Sequence, residues 1–158
     1  MELQPVELSV IEFETATVKS EEYTSGPAEK YIEVKTLVKE EPLYSKEEIE
    51  LIALVTMAEA EAETEKGQRL VIDTILNRVD SEHFPDTIHD VIYQTGQFTS
   101  MWNGRANRCY AREDLVKLIE EEIKSRFNTD VIFFGAGKYS DYGVPMFQEG
   151  GHYFSSYD

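Results

Sequence analysis

Apolar residues follow a helical pattern from Ser45 onward. The segment "SKEE" is a capping box, because Ser45 can accept from a first-turn backbone N–H and Glu48 can reach back to the cap. It predicts a helix from about 46 to 62. This helix is apolar on nearly all sides, with Ile49, Leu51, Ile52, Leu54, Val55 and Met57. Such a helix is expected in the centre of a domain.

Three more helices are predicted downstream. Thr64 can cap the second, and Asp86 or Thr87 can cap a short third helix within "DTIHDVIYQ". The fourth helix is predicted from about 111 to 127, with an apolar stripe of Leu115, Leu118, Ile119, Ile123 and Phe127. The acidic residues of this helix lie mostly outside the stripe: Glu120, Glu121 and Glu122.

The two ends of the chain have other patterns. The stretch "VIFFGAGKYSDYGVPMFQEGGHYFSSYD" is rich in glycine and aromatic residues, which is typical of short strands and loops. Residues 1–44 contain partly alternating segments, "VELSVIEFETATV" and "YIEVKTLV", so they predict an N-terminal arm or linker, with or without short strands. We therefore expect an α+β fold in residues 45–158, mainly helical with a small β-rich or loop-rich C-terminal element.

Composition narrows the possible partners. The 158 residues carry a formal charge of -16 at pH 7. Nucleic acids and anionic membrane surfaces attract clustered lysine and arginine, so neither is an expected partner. No apolar run reaches the roughly 18 residues of a membrane span, and the N-terminus lacks the basic start and apolar block of a signal peptide. Cys109 is the only cysteine, which excludes an internal disulfide.

A cluster of glutamates follows the apolar helix. Glu59 and Glu63 are four residues apart, so they would share a helix face. Glu59 is nearest to the apolar residues, and burial beside a like charge disfavours ionisation. Glu59 is therefore the best candidate for a protonated carboxyl that acts as a general acid. The alternative is a solvated helix end, although acidic residues are unfavourable at a helix C-terminus.

A metal site has less support. No Glu-x-x-His pair of the di-iron type lies near Glu59, and the spacing of an EF-hand is absent. The histidines, His83, His89 and His152, are not spaced to bind zinc together. We predict no metal ion and no other cofactor.

The residues after the glutamates carry a family resemblance. "AEAEAETEKGQRLVIDTILNRV" and "FPDTIHDVIYQTGQFTS" resemble the cell wall hydrolase family of bacterial spore cortex-lytic enzymes, the SleB and CwlJ type. The matching positions, in matching order, are Glu59-Ala60, Glu63, Gly67-Gln68, Ile75 to Val79, Phe84-Pro85, Val91 to Gln94, Gln97 to Thr99 and Gly150 to Phe154. The chain departs from the pattern at Ala58 and Ala62, where the family often has glycine.

This resemblance implies a lysozyme-like fold that acts on peptidoglycan. It implies cleavage between N-acetylmuramic acid and N-acetylglucosamine, in several relatives by lytic transglycosylation. Glu59 then matches the catalytic glutamate, and Glu63 matches a second acidic position whose role is open. The expected location is the cell wall, the extracellular side or a spore, and the expected oligomeric state is a monomer.

Sugar-binding grooves combine flat aromatic rings with short polar groups. One candidate wall consists of Gln97, Phe98, Thr99 and Trp102, and a second of Tyr139, Tyr142, His152 and Tyr153. Phe98 and some of the tyrosines could equally be core residues, and His152 could make a structural hydrogen bond. Asn77 and Arg78 are expected to tie helix ends.

Two other functions fit the same residues. The chain could be a non-catalytic glycan-binding module on the same fold. It could also be a structural or regulatory phage or spore protein whose residues 1–44 are the functional part.

Overall fold

The first three α-helices of residues 41–158 begin where a side chain caps them. The computed structural model describes residues 41–158, so the strands predicted nearer the N-terminus lie outside the described residues. Helix α1 (Lys46–Ala60) begins after Ser45, whose Oγ accepts from the Glu48 N–H at 3.2 Å while Glu48 Oε2 accepts from the Ser45 N–H at 2.8 Å. The predicted capping box is thus confirmed. Thr64 caps α2 (Glu65–Asp80) and Thr87 caps α3 (Ile88–Ile92), as predicted.

Helix α4 (Glu113–Lys124) is shorter at both ends than predicted. It buries Leu115, Leu118 and Ile119 as expected. Phe127 was predicted in the stripe, but the helix ends at Lys124 and Phe127 is 56% exposed. Glu122 was predicted outside the stripe, but it is only 1% exposed. Both predictions are wrong, in the second case because Arg69 of α2 compensates the buried carboxylate.

Three short strands form an antiparallel sheet in the order β1-β3-β2. They are β1 (Phe133–Ala136), β2 (Val144–Glu149) and β3 (His152–Ser156). The predicted small β element at the C-terminus is confirmed. Successive side chains of a strand point to opposite faces. Phe134 of β1 pairs with Phe154 of β3, and these two rings pack on the helices.

The core is built around α1, which contacts all the other helices. Its buried side chains join one cluster with α2, α3 and α4, in which the largest members include Ile52, Ile72, Ile75, Ile92, Phe98, Leu115 and Ile119. A smaller cluster joins the end of α1 and the start of α2 to the sheet through Ala60, Leu70, Val71, Val131 and Phe154. The central position predicted for α1 is therefore confirmed.

The end of α2 is tied to the segment that leads into β1. Asn77 Nδ2 donates to the carbonyls of Asn128 and Val131 at 3.0 and 2.8 Å, and Arg78 Nε donates to Ile132 O at 2.8 Å. Burial lowers the pKa of Arg78 to about 10, so that the guanidinium is still charged at neutral pH. The Cζ atom of Arg78 lies 5.1, 5.2 and 5.6 Å from the ring centres of Phe84, Phe98 and Phe133.

A buried pair of carboxyls joins α2 to α4. Asp73 is fully buried and Glu122 nearly so, and Arg69 Nη1 donates to Glu122 Oε1 at 2.6 Å. Burial, with the hydrogen bond to Glu122, raises the pKa of Asp73 to about 8. Burial also raises the pKa of Glu122, but the hydrogen bonds from Asp73, Arg69 and the Phe127 N–H outweigh it and the net pKa is lowered. At neutral pH the pair therefore holds one proton, on Asp73.

This proton makes stability depend on pH. Asp73 binds its proton more tightly in the folded chain, since its pKa rises from 3.8 to about 8. The stabilisation that this proton gives the folded chain is complete below the pKa of the unfolded state. It is lost as pH rises through the pKa of the folded state, by at most about 1.4 kcal/mol per pH unit for one proton. The lowered pKa of Glu122 makes stability change with pH in the opposite direction, and only at more acidic pH. Asp73→Asn should remove the slope between about pH 4 and 8 and make the variant the more stable protein at pH 8.

Urea unfolding at a series of pH values measures this slope. Asparagine keeps an acceptor for the Asn128 N–H, which Asp73 Oδ2 now binds at 2.8 Å. The control is Glu120→Gln, which removes an exposed carboxylate from α4, the helix that carries Glu122, and should keep the wild-type slope. An unchanged slope in Asp73→Asn would contradict the assignment of the proton.

Candidate active site

Glu59 lies in the last turn of α1 and is half-buried between two buried alanines, Ala58 and Ala60. The helix ends at Ala60, earlier than predicted, and the Glu63 N–H donates to Ala60 O at 3.1 Å in the turn that follows. Glu63 is therefore not on the helix. The predicted i,i+4 pair of Glu59 and Glu63 on one helix face is wrong.

The loop between α3 and α4 binds three consecutive residues at the end of α1. The Tyr110 N–H donates to Met57 Sδ at 3.4 Å, Arg105 Nε donates to Ala58 O, and Ser100 Oγ donates to Glu59 Oε1. The last carbonyls of a helix lack intrahelical partners and favour a nearby cation. Arg105 supplies both the donor and the charge for α1, whose own last turn has no basic residue.

Ser100 holds the carboxyl of Glu59 from a buried position, since only 3% of this residue is exposed. Sequence reasoning missed both Ser100 and Arg105. Ser100 directly follows the Gln97–Thr99 motif, and Arg105 lies in the arginine-containing segment "NGRANRCYAR". Neither residue type carries a periodic signal that would point to α1.

Glu63 contacts the turn between β2 and β3. Both of its carboxylate oxygens accept from the Gly151 N–H at 3.2 Å. Lys66 Nζ lies 2.7 Å from Glu149 Oε2 beside this contact. The loop between α1 and α2 is thus joined to the β2–β3 turn.

The first predicted wall is only partly exposed. Phe98 is 2% exposed and lies in the core, 6.1 Å from Phe134, which fits the alternative interpretation of this residue. Thr99 is exposed and Gln97 is half-buried. Trp102 is 62% exposed and meets the ring of Tyr93 edge-on at 6.0 Å. The surface beside Ser100 therefore offers Thr99 and Trp102.

The second predicted wall is divided by the sheet. His152 and Tyr153 are consecutive in β3, so their side chains lie on opposite faces. His152 is 6% exposed and meets Phe134 edge-on at 5.0 Å on the core side. Tyr153 packs against Tyr139 at 5.1 Å on the other face, and the structure does not bring His152 together with this pair. Among residues 41–158, Nδ1 of His152 has no hydrogen-bond partner, so the predicted structural hydrogen bond is not made there.

Two general properties of residues 41–158 bear on the chemistry. No group of three or more histidine, cysteine, aspartate and glutamate side chains within this range is arranged to hold a metal ion. In the same range, no helix combines the length and the hydropathy needed to cross a bilayer.

Known proteins share this sequence pattern and fold. The family model of cell wall hydrolases matches residues 62–154, a segment that begins just after Glu59. Spore cortex-lytic enzymes of Oceanobacillus iheyensis and Bacillus cereus are 40% and 39% identical over 62 residues, which are 39% of this chain. The match spans only 22% and 24% of these two relatives.

Two solved structures have a similar fold. The catalytic domain of the Bacillus cereus SleB protein aligns with a TM-score of 0.63 and 26% identity, over 72% of this chain and 92% of that one. The catalytic domain of the germination-specific lytic transglycosylase SleB from Bacillus anthracis aligns with a TM-score of 0.61 and 24% identity, over 72% of this chain and 97% of that one. The mixed fold of helices and a small antiparallel sheet is similar to that of the SleB catalytic domain.

Proposed function

The chain belongs to the cell wall hydrolase family, and we propose that it cleaves the glycan strands of peptidoglycan with Glu59 as the catalytic acid. The observation that carries this proposal is the setting of Glu59. It is half-buried at the end of a buried helix, and Ser100 donates to its Oε1. Among the described residues Oε2 accepts no hydrogen bond, so it is the oxygen available to hold and donate a proton.

The proposed reaction is lytic transglycosylation of the bond between N-acetylmuramic acid and N-acetylglucosamine. Protonated Glu59 donates to the glycosidic oxygen as the bond from the muramyl C1 breaks. The substrate's own N-acetyl group, or the electrostatics of the site, stabilises the oxocarbenium-like centre. The ionised Glu59 then takes the proton of the muramyl C6 hydroxyl while this oxygen bonds to C1. The product is a 1,6-anhydro ring, and Glu59 is protonated again.

One carboxyl is sufficient for this reaction. Most glycosidases use a second carboxylate as nucleophile or base. The two acidic residues nearest in sequence are both engaged elsewhere: Glu63 accepts from Gly151 N–H, and Glu61 lies 3.9 Å from Arg105 Nη2. This arrangement supports a mechanism with a single carboxyl, which is what transglycosylation needs.

The substrate groove is proposed to run past the surface beside Ser100. Thr99 and Trp102 are exposed there and would contact sugar, with Gln97 as a half-buried polar neighbour. The Tyr139–Tyr153 pair would contact a more distant part of the glycan. Phe98 and His152 support the groove from the core side.

The finer descriptions of fold and setting are also proposals. The arrangement of a central helix, surrounding helices and a small sheet, with the acid at a helix end, supports a lysozyme-like fold. The spore cortex-lytic relatives favour action on a spore or cell wall. A monomeric state is part of the same proposal.

Product analysis tests the proposed function. Purified peptidoglycan is incubated with the protein, and the released muropeptides are examined by mass spectrometry before and after borohydride reduction. We expect 1,6-anhydro-muramyl ends, which are lighter by one water and do not react with borohydride. Reducing ends would show hydrolysis instead. Binding to the polymer without release would identify a non-catalytic glycan-binding module.

A further inference from the structure

Three glycines surround the side chain of Glu63. A Cβ at Gly150 would overlap Glu63 Oε2, and one at Gly151 would lie 2.9 Å from Oε1. On the helix side, a Cβ at Gly67 would lie 3.1 Å from the Cβ of Glu63. A Cβ at any of the three positions would therefore crowd the Glu63 side chain where it now lies, and Gly150 also has a positive φ of 56°. The Gly67-Gln68 and Gly150–Phe154 motifs of the sequence meet at this point.

The β2–β3 turn depends on Glu63 for one of its hydrogen bonds. Gln148 Nε2 donates to Gly150 O at 3.0 Å, and the Gly137 N–H donates to Gly151 O at 3.2 Å. The Gly151 N–H has Glu63 as its acceptor. Removing the carboxylate would leave this donor without its protein partner, while the carbonyls of the turn would keep theirs.

We propose that Glu63 is a positioning residue that fastens the β2–β3 turn to the loop after Glu59, and that the three glycines make room for it. Because the loop between Glu59 and Glu63 is closed by the hydrogen bond from Glu63 N–H to Ala60 O, the contact fixes the sheet relative to the catalytic acid. The inference rests on the proposed function and gives the second acidic position a role. Glu63 neither donates a proton to substrate nor accepts one from it.

A double-mutant cycle in the full chain tests the contact itself. Glu63→Ala and Gly151→Ala are each expected to lower Tm by about 4 °C, as for the loss of one hydrogen bond in a domain of this size. Gly151 does not have a positive φ, and among residues 41–158 only the Glu63 side chain lies within 4 Å of a Cβ placed there. The double variant should therefore be no less stable than Glu63→Ala alone. Additive losses would overturn the contact.

Glu61→Ala is the matched control. Glu61 is an exposed acid of the same loop, so its effect on Tm should add to that of Gly151→Ala. Coupling of Glu61 as strong as that of Glu63 would overturn the assignment to Glu63. The thermal cycle needs no substrate, and it decides the contact even if the chain releases no muropeptides.

Kinetics distinguish positioning from acid–base chemistry. Glu63→Ala should lower kcat/KM for peptidoglycan by about 10-fold to 100-fold, because the sheet, with the Tyr139–Tyr153 part of the groove, is misplaced relative to Glu59. Glu63→Gln retains an oxygen that accepts from Gly151 N–H, so it should recover activity to within about threefold of wild type, with an unchanged pH profile. A Gln variant as inactive as the Ala variant would overturn the proposal, since a catalytic base is not replaced by an amide.

Discussion

Glu59→Gln is expected to lower the rate of muropeptide release by about 10³-fold, within the range that general acid catalysis contributes. Glutamine has the shape of glutamate, and its carbonyl oxygen can still accept from Ser100. It has no acidic proton to give to the glycosidic oxygen. Binding to peptidoglycan should therefore persist, measured by cosedimentation, while product release is lost.

Two further variants are compared with Glu59→Gln. Glu61→Gln changes an exposed acid just beyond the end of α1 and should leave release close to wild type. Ser100→Ala leaves the acid but removes the group that holds it, and should lower the rate by about 10-fold through misplacement of the carboxyl. Wild-type digestion by Glu59→Gln would refute the proposed mechanism.

Arg78→Ala is expected to cost about 3–5 kcal/mol of unfolding free energy, a large part of the stability of a single domain. The side chain is 4% exposed, and its loss leaves a cavity among three phenylalanine rings. The Ile132 carbonyl also loses its donor Arg78 Nε and stays buried, which adds a desolvation cost. Urea unfolding at one pH measures the loss.

Arg78→Met separates packing from hydrogen bonding. Methionine fills much of the space between the rings but cannot donate to Ile132, so it should lose less than half as much stability as alanine. The two variants should bind peptidoglycan normally below their unfolding temperatures. If Arg78→Ala unfolds with wild-type parameters, the guanidinium is not a structural part of the core.

Local signals explain the success of the helix predictions. Ser45, Thr64 and Thr87 cap their helices through contacts to residues three positions away, which can be read directly from the sequence. The apolar character of α1 likewise predicted its central position. Each of these features is determined within one or two turns of chain.

The end of α1 depends on distant residues instead. Alanine and glutamate are both good helix formers, so the run from Ala58 to Glu63 contains no stop signal. In the structure the chain leaves the helix after Ala60, and Glu63 binds Gly151 in the last hairpin. A pattern of helical spacing could therefore not show that Glu59 and Glu63 are in different elements.

Two other wrong predictions have the same origin. Glu122 is buried because Arg69 from another helix neutralises it. A prediction from hydrophobic periodicity assigns such a glutamate to the exposed face. His152 and Tyr153 were grouped by closeness in sequence, while strand alternation separates them. The family motif made Glu59 a candidate, but its contact with Ser100 was not visible in the sequence.

The contacts between the α3–α4 loop and the end of α1 affect the stage of folding at which the site forms. Glu59 and Ser100 are 41 residues apart, and Glu63 and Gly151 are 88 apart. Contacts across such separations form late, since closing long loops costs entropy before any contact is gained. A newly made chain can acquire its helices while the acid is still unsupported. We therefore expect the proposed site to be complete only once the last hairpin has docked.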